Sequence, residues 1–255
     1  MVRHRTRVIP AERPELTVVL PAHNEEHRIG PTLRDYLAYF NDQRTEFIVV
    51  LNGCTDRTAE VVTDVQRRLH RTVSVIDVAE AIGKGGAVRR GLLAARGTMV
   101  GFVDADGATT AEEFERLVRS IGNADGVIAS RWLPTSRVYN RTSPLRKMTS
   151  LGYMAIAKLF FHLPYRDTQC GAKVFKRAVI DAVASKLVTR DMAFDLELLI
   201  RARAAGFVVQ EVPTIWTDQS SSTVPSAPIK LAVTSLRILK SLIRLARLTR
   251  REHLR

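Results

Sequence analysis

Short β-branched apolar runs alternate along this chain with stretches of helical apolar spacing, and nearly every early run closes on a polar or glycine-bearing sequence. Together these features predict an α/β protein with a mainly parallel sheet and helices on both faces. A third feature, a basic periodic stretch at the carboxyl end, adds an amphipathic terminal helix.

The first strand is expected at Leu16–Leu20; Pro21-Ala22-His23-Asn24-Glu25-Glu26 closes it and opens a helix. Glu46–Leu51 is the second and runs into Asn52-Gly53-Cys54-Thr55-Asp56. Val73–Val78 leads to Gly83-Lys84-Gly85-Gly86, and Met99–Val103 ends on Asp104-Ala105-Asp106-Gly107. Gly126–Ser130 is the fifth strand. An arginine-rich, proline-punctuated segment then leads to the apolar stretch Leu151–Leu163, and the sheet resumes near Ala172–Phe175. A helix across Phe194–Ala205, a strand at Phe207–Val212 and a Ser/Pro-rich loop from Thr217 to Pro228 complete the body. Parallel strands joined by crossover helices bring their carboxyl ends to one edge, where open α/β sheets bind ligands.

Composition narrows the function classes. The chain has 255 residues, 45% hydrophobic, which excludes a disordered chain and allows a substantial core. Its net charge is +13, which attracts anions of any kind. The charge is segregated: residues 131–177 hold ten basic residues against Asp167 alone, and residues 229–255 hold eight against Glu252. With the Arg-rich residues 1–13 also set aside, the rest is acidic. A generic nucleic-acid coat does not need that segregation. Two cysteines, Cys54 and Cys170, are too few for a disulfide scaffold or a Cys-rich zinc site and fit a reducing compartment. No apolar signal region follows the opening Arg cluster. Leu151–Leu163 is too short to span a bilayer, so no part of the chain is expected to cross a membrane unaided.

The strongest chemical signal is Asp104-Ala105-Asp106 at a strand end, where the two-residue period sends both carboxylates to one side. Such a pair can hold Mg²⁺ or Mn²⁺, with substrate phosphates and water completing the shell; the competing reading is a solvated turn. Lys84 can add positive charge beside glycines that let backbone N–H groups approach phosphates. No Ser or Thr follows that lysine, so this is not a P-loop. His23 and His27 do not form H-E-x-x-H, so no zinc site is expected, and Cys170 reads as a small buried thiol.

These ordered strand-end motifs resemble glycosyltransferase family 2, whose members have the GT-A nucleotide-sugar-binding fold. Ala129-Ser130-Arg131-Trp132, Asp167-Thr168-Gln169-Cys170-Gly171 and Phe194-Asp195-Leu196-Glu197 are similar to motifs of dolichyl-phosphate β-glucosyltransferases and related polyprenyl-phosphate glycosyltransferases. The resemblance implies a GT-A domain over residues 1–227 followed by a basic helix at 228–255. It also implies inverting transfer of a sugar, glucose, from a nucleotide diphosphate to a polyprenyl phosphate. By the same resemblance Pro21, Asn24, Glu25, Asn52, Lys84, Asp104, Ala105 and Asp106 bind the nucleotide sugar, with Asp104 and Asp106 on the Mg²⁺ or Mn²⁺. Arg131 and Asp167 are then the catalytic candidates, and Arg131, Arg137, Lys173 and Glu197 the acceptor-binding ones. Family members often carry two adjacent Asp where this chain has Leu51-Asn52; Asn52 can still hydrogen-bond a base, because its amide both donates and accepts.

Three points stay open at this level. Asp167 is a base, an acceptor-orienting group, or the partner of Arg166 or another arginine. Asp195 and Glu197 sit two apart on the expected helix, so at most one faces the site. From Ile229 onward, Ala232, Leu236, Leu239, Ile243 and Ala246 recur at helical spacing, with Arg237, Lys240, Arg244, Arg247 and Arg251 on another face. That pattern suits an anionic bilayer interface or a helix docked on the body. A cytoplasmic enzyme peripherally attached to the membrane is therefore expected, and nucleic acid is not an expected partner. The alternatives are a soluble transferase with a small phosphorylated acceptor and, last, a nucleic-acid-binding module.

Overall fold

A computed structural model describes residues 13–42, 44–140, 160, 161 and 163–219, together with 152, 154 and 228–253; for residues 228–239 and 253 it describes the backbone alone. Most of Leu151–Leu163, and Arg141, Arg146 and Lys147 before it, lie outside these residues, as do residues 220–227 of the expected loop.

The chain runs β1 (Leu16–Ala22), α1 (Ile29–Tyr39), β2 (Thr45–Asn52), α2 (Thr58–Leu69), β3 (Ser74–Val78), α3 (Gly83–Ala94), β4 (Met99–Phe102), α4 (Ala111–Arg119) and β5 (Gly126–Ser130). It continues through β6 (Arg137–Tyr139), β7 (Lys173–Lys176), α5 (Arg177–Val183), α6 (Phe194–Ala204), β8 (Val209–Pro213), β9 (Ile215–Thr217) and α7 (Pro228–His253). The main sheet has the order β3-β2-β1-β4-β7-β5-β8. Its neighbours pair in parallel except for β7, which is antiparallel to both β4 and β5.

The two-residue strand period divides the core. Val18, Leu20, Phe47, Val49 and Leu51 face Leu33, Tyr36, Val62, Phe114 and Leu117 of α1, α2 and α4. Val19, Ile48, Val50, Val100 and Phe102 face the other layer, where Val88 and Leu92 of α3, Leu198 of α6, and Leu242 and Leu245 of α7 are buried. Helices therefore cover both faces, as the alternation predicted. The strand expected from Phe207 is β8, which begins two residues later at Val209. A small parallel sheet of β6 and β9 was not foreseen; its three-residue strands are too short for periodicity to signal.

Two features of this fold position the site. The carboxyl ends of β1, β2, β3 and β4 share one edge. Because β7 runs the other way, with Lys173 opposite Phe102, it starts at that same edge, and the preceding residues 167–172 arrive beside the end of β4.

Helix α3 lies so close to β1 that a Cβ on Gly91 would collide with Val19. Gly91→Val is therefore expected to cost about 1–3 kcal/mol of stability through overpacking. Urea unfolding should show a lower midpoint with an unchanged slope.

Candidate active site

The loops after β1 and β2 are laced together. Asn24, at φ 55°, accepts the Thr55 N–H on Oδ1 at 2.8 Å, the Glu25 N–H donates to Thr58 Oγ1 at 2.8 Å, and Glu26 and Asp56 cap each other's loop. Asn52 is buried, and its Oδ1 accepts the Ile82 N–H at 2.7 Å. His23 donates from Nδ1 to the Asn52 carbonyl at 2.6 Å. Asn52 thus ties the loop after β3 to the floor of a cavity of about 480 Å³, lined by Pro21, His23, Glu25, Asn52, Lys84, Asp104, Ala105 and Asp106 among others. Of the residues expected to bind the nucleotide sugar, Asn24 alone is not among those lining it.

At the end of β4, Lys84 Nζ lies 2.6 Å from Asp104 Oδ1. Burial opposes the lysine's charge, but Asp104 and then Asp195 raise its pKa above the ordinary value. Burial and the adjacent Asp104 raise the carboxyl of Asp106, which accepts the Ala108 N–H at 3.0 Å. Glu25 is also raised by burial, against the pull of Arg28, whose Nε and Nη2 it holds at 2.5 and 2.6 Å. Arg28 was not foreseen, although its position three residues after Glu25 on a helical start is a readable signal. Met192, which also lines the cavity, has no sequence signal because it arrives from a distant loop.

The glycines after β3 also allow close packing. Gly83 and Gly85 begin α3 itself, where Cβ atoms would strike the Arg190 carbonyl and Phe194, respectively. The Gly85 N–H donates to Arg190 O at 2.9 Å, so this amide is engaged within the protein and not offered to a phosphate. Gly171 plays a similar part, since a Cβ there would collide with the Asp104 carboxylate.

Asp167 is fully buried and forms a bidentate pair with Arg131, at 2.7 Å to Nε and 3.0 Å to Nη2. It also accepts the N–H groups of Arg131 and Gln169. Burial would raise its pKa, but the Arg131 guanidinium holds it below the ordinary value. So occupied, Asp167 is a buried counter-ion of Arg131, the arginine-partner reading among the three that the sequence leaves open. Arg166 is not its partner; the Arg166 N–H bonds Glu211 instead. The Arg131 guanidinium lies 5.1 Å from the Trp216 ring centroid. Arg137 is exposed on β6.

Lys173 and Glu197 were expected to meet an acceptor, yet neither side chain reaches the surface. Lys173 Nζ is 2.5 Å from Asp195 Oδ1 and 2.7 Å from the Cys170 carbonyl, all buried. Glu197 accepts the N–H groups of Val188 and Thr189 and pairs with Arg201 at 2.7 Å. Of the pair on α6, only Asp195 turns toward the Lys84 cluster, and its Oδ2 is buried without a hydrogen-bond partner among the described residues. Burial pushes the Cys170 thiol up to about 11, in keeping with an inert core residue.

The donor set suits a cation shared with a ligand. Among the described residues no group of three or more His, Cys, Asp or Glu forms a self-sufficient metal site. Two carboxylates such as Asp104 and Asp106 would need a diphosphate and water to complete the shell of a Mg²⁺ ion, the usual mode for that metal.

The glycosyl transferase family 2 model matches residues 17–183. The chain is 34% identical over 237 residues to dolichyl-phosphate beta-glucosyltransferase ALG5C of Trichomonas vaginalis, covering 87% of this chain and 70% of that one. It is 34% identical over 223 residues to the Drosophila melanogaster dolichyl-phosphate beta-glucosyltransferase, covering 82% and 68%. Glycosyltransferase AglD of Haloferax volcanii is 33% identical over 216 residues, which is 82% of this chain and 34% of AglD. Among solved structures, glucosyl-3-phosphoglycerate synthase from Mycobacterium tuberculosis, in complex with Mn²⁺, uridine diphosphate and phosphoglyceric acid, superposes with a TM-score of 0.65 at 19% identity. That match covers 92% of this chain and 79% of the synthase, and it is a likeness of fold.

The buried Arg131–Asp167 pair predicts an acid-dependent stability. Asp167 is more acidic folded than unfolded, so its contribution is complete above the unfolded carboxylate pKa of about 3.9 and is lost as pH falls through the lower folded value. Asp167→Asn should remove this component and cost about 3–5 kcal/mol by stranding the arginine, read from thermal unfolding across pH.

Proposed function

The chain belongs to glycosyl transferase family 2, and from that premise we propose that it moves glucose, with inversion, from a nucleotide-diphosphate sugar to a polyprenyl phosphate. The observation that carries the reading is the cluster of Lys84, Asp104 and Asp106 lining the same cavity as Asn52. The two relatives named as dolichyl-phosphate beta-glucosyltransferases, matched over more than four-fifths of this chain, suggest the acceptor and the sugar.

In this reading the base and ribose lie against Pro21, His23 and Asn52, and the diphosphate lies toward Lys84 and the carboxylates. Asp106, with Asp104, would hold Mg²⁺ or Mn²⁺, which neutralises charge on the departing nucleotide. Lys84 adds fixed positive charge to the same region. Arg131, held in orientation by Asp167 and Trp216, is suited to clamp the acceptor phosphate with its planar fork. A phosphomonoester is largely ionised at neutral pH, with a second pKa of about 6, so the acceptor needs no strong general base. That agrees with an Asp167 locked as a counter-ion.

We also place the enzyme peripherally on the cytoplasmic face of a membrane, with residues 1–227 as the catalytic unit and 228–255 as its basic attachment. Among the described residues no helix is long and apolar enough to cross a bilayer. Lys240, Arg244, Arg247 and Arg251, with Ile243 and Leu248 between them, line a groove of about 600 Å³ along α7. That mixture suits an anionic interface.

Purified protein incubated with UDP-glucose and Mn²⁺ should glucosylate polyprenyl phosphate in liposomes, with GDP-mannose as the comparison donor, and Asp106→Ala should reduce turnover about 10²–10³-fold. Transfer to a soluble phosphorylated acceptor with none to the lipid would refute the acceptor assignment. An Asp106→Ala enzyme of full activity would refute the metal assignment.

A further inference from the structure

The segment between α5 and α6 reaches the donor cavity through Met192 and is held there by contacts away from it. On the cavity side, the Arg190 carbonyl accepts the Gly85 N–H at 2.9 Å, Thr189 O and Phe194 crowd the same glycine, and Met192 lines the cavity itself. The first turn of α3, which carries Lys84 to Asp104, therefore rests on residues 189–194.

Two ties from the opposite side hold this segment. Glu197, fully buried, accepts the Val188 N–H at 3.1 Å and the Thr189 N–H at 2.7 Å; its remaining bond goes to Arg201 Nε at 2.7 Å. Arg201 in turn donates to Glu252 of α7 at 2.7 and 3.1 Å. Separately, the Ser241 hydroxyl donates to Asp191 Oδ2, while Asp191 Oδ1 accepts the Ala193 N–H at 2.9 Å. Leu242 and Leu245, buried between these contacts, seat α7 on the core. Neither tie touches the cavity.

We propose that α7 positions the donor site: through Ser241 on Asp191, and through Glu252 on Arg201 and Glu197, it holds residues 187–193 against the first turn of α3 and so fixes Lys84 at Asp104. Glu197, Arg201, Asp191, Ser241 and Glu252 are positioning residues. The proposal rests on reading the cavity as the nucleotide-sugar site and assigns that site a second function of α7, distinct from its basic outer face. Loss of both ties leaves Gly85 and Lys84 without a fixed support, and the cost falls on binding of the nucleotide diphosphate.

The test is calorimetric titration of the full-length protein with UDP and Mn²⁺, and with GDP and Mn²⁺ in parallel, which reads the cavity without any transfer step. Ser241→Ala/Glu252→Gln changes two side chains outside the cavity. It is expected to weaken the tighter-binding nucleotide about three- to thirtyfold, the range typical of mutations that act on a site from a distance. Ser241→Thr, which keeps the hydroxyl, should bind as the parent protein does. Glu252→Gln alone, at a side chain 55% exposed, gives a second reading should the double variant fail to fold. Parent-like nucleotide affinity in the variants, with only a lower melting temperature, would overturn the proposal and leave α7 a simple core helix. If the parent protein binds neither nucleotide, the donor reading falls first and the proposal with it.

Discussion

The ion pair of Lys84 with Asp104 is the contact around which the rest of the site is arranged. Asp104 stands at the end of the central strand with Asp106 two residues on, and Asp195 also acts on Lys84. Carboxylates brought this close in a partly buried place repel one another and lose solvation, so a cation must sit among them. Lys84 does this from the first turn of α3, and three glycines make the approach possible. Gly83 and Gly85 let α3 start against residues 189–194, and Gly171 leaves room for the Asp104 carboxylate. Lys173 meets Asp195 from below, so the lysine at the cavity and the lysine in the core divide the negative charge between them.

The reversed direction of β7 is the topological counterpart. A parallel strand in its place would have delivered residues 167–172 to the opposite edge of the sheet. Running antiparallel, β7 brings Asp167 beside Arg131 at the end of β5 and Gly171 beside Asp104 at the end of β4. Two motifs separated by dozens of residues thereby meet at one edge. The bidentate pair they form orients a guanidinium over Trp216.

Much of this was legible in the chain because its signals are local. The period-two division of Val18 and Leu20 from Val19 is written in neighbouring residues, as is the placement of Asp104 and Asp106 after an apolar run. The tail likewise announces its helix by spacing alone. Arg131–Asp167 was foreseen only as a general possibility, because residue type tells that a buried carboxylate needs a cation but not which of several arginines the fold brings to it. Lys173 and Glu197 were misplaced for a related reason: a charged residue in a motif reads as exposed and functional, whereas here Lys173 is enclosed with Asp195 of α6, and Glu197 with Arg201 of its own helix and the Val188 and Thr189 amides.

The amino-acid order alone was enough to establish the alternating α/β architecture, the polar groups at the strand ends and the basic residues of the terminal helix, since each depends on residues within one or two turns or strands of each other. Tertiary packing decided which charges face the cavity and which are neutralised inside, that the glycines after β3 serve close approach of α6, and that α7 is tied to the segment between α5 and α6. Those outcomes depend on distances between segments far apart in the chain, and the energy of a buried charge is set by the partner that packing brings within a few ångströms.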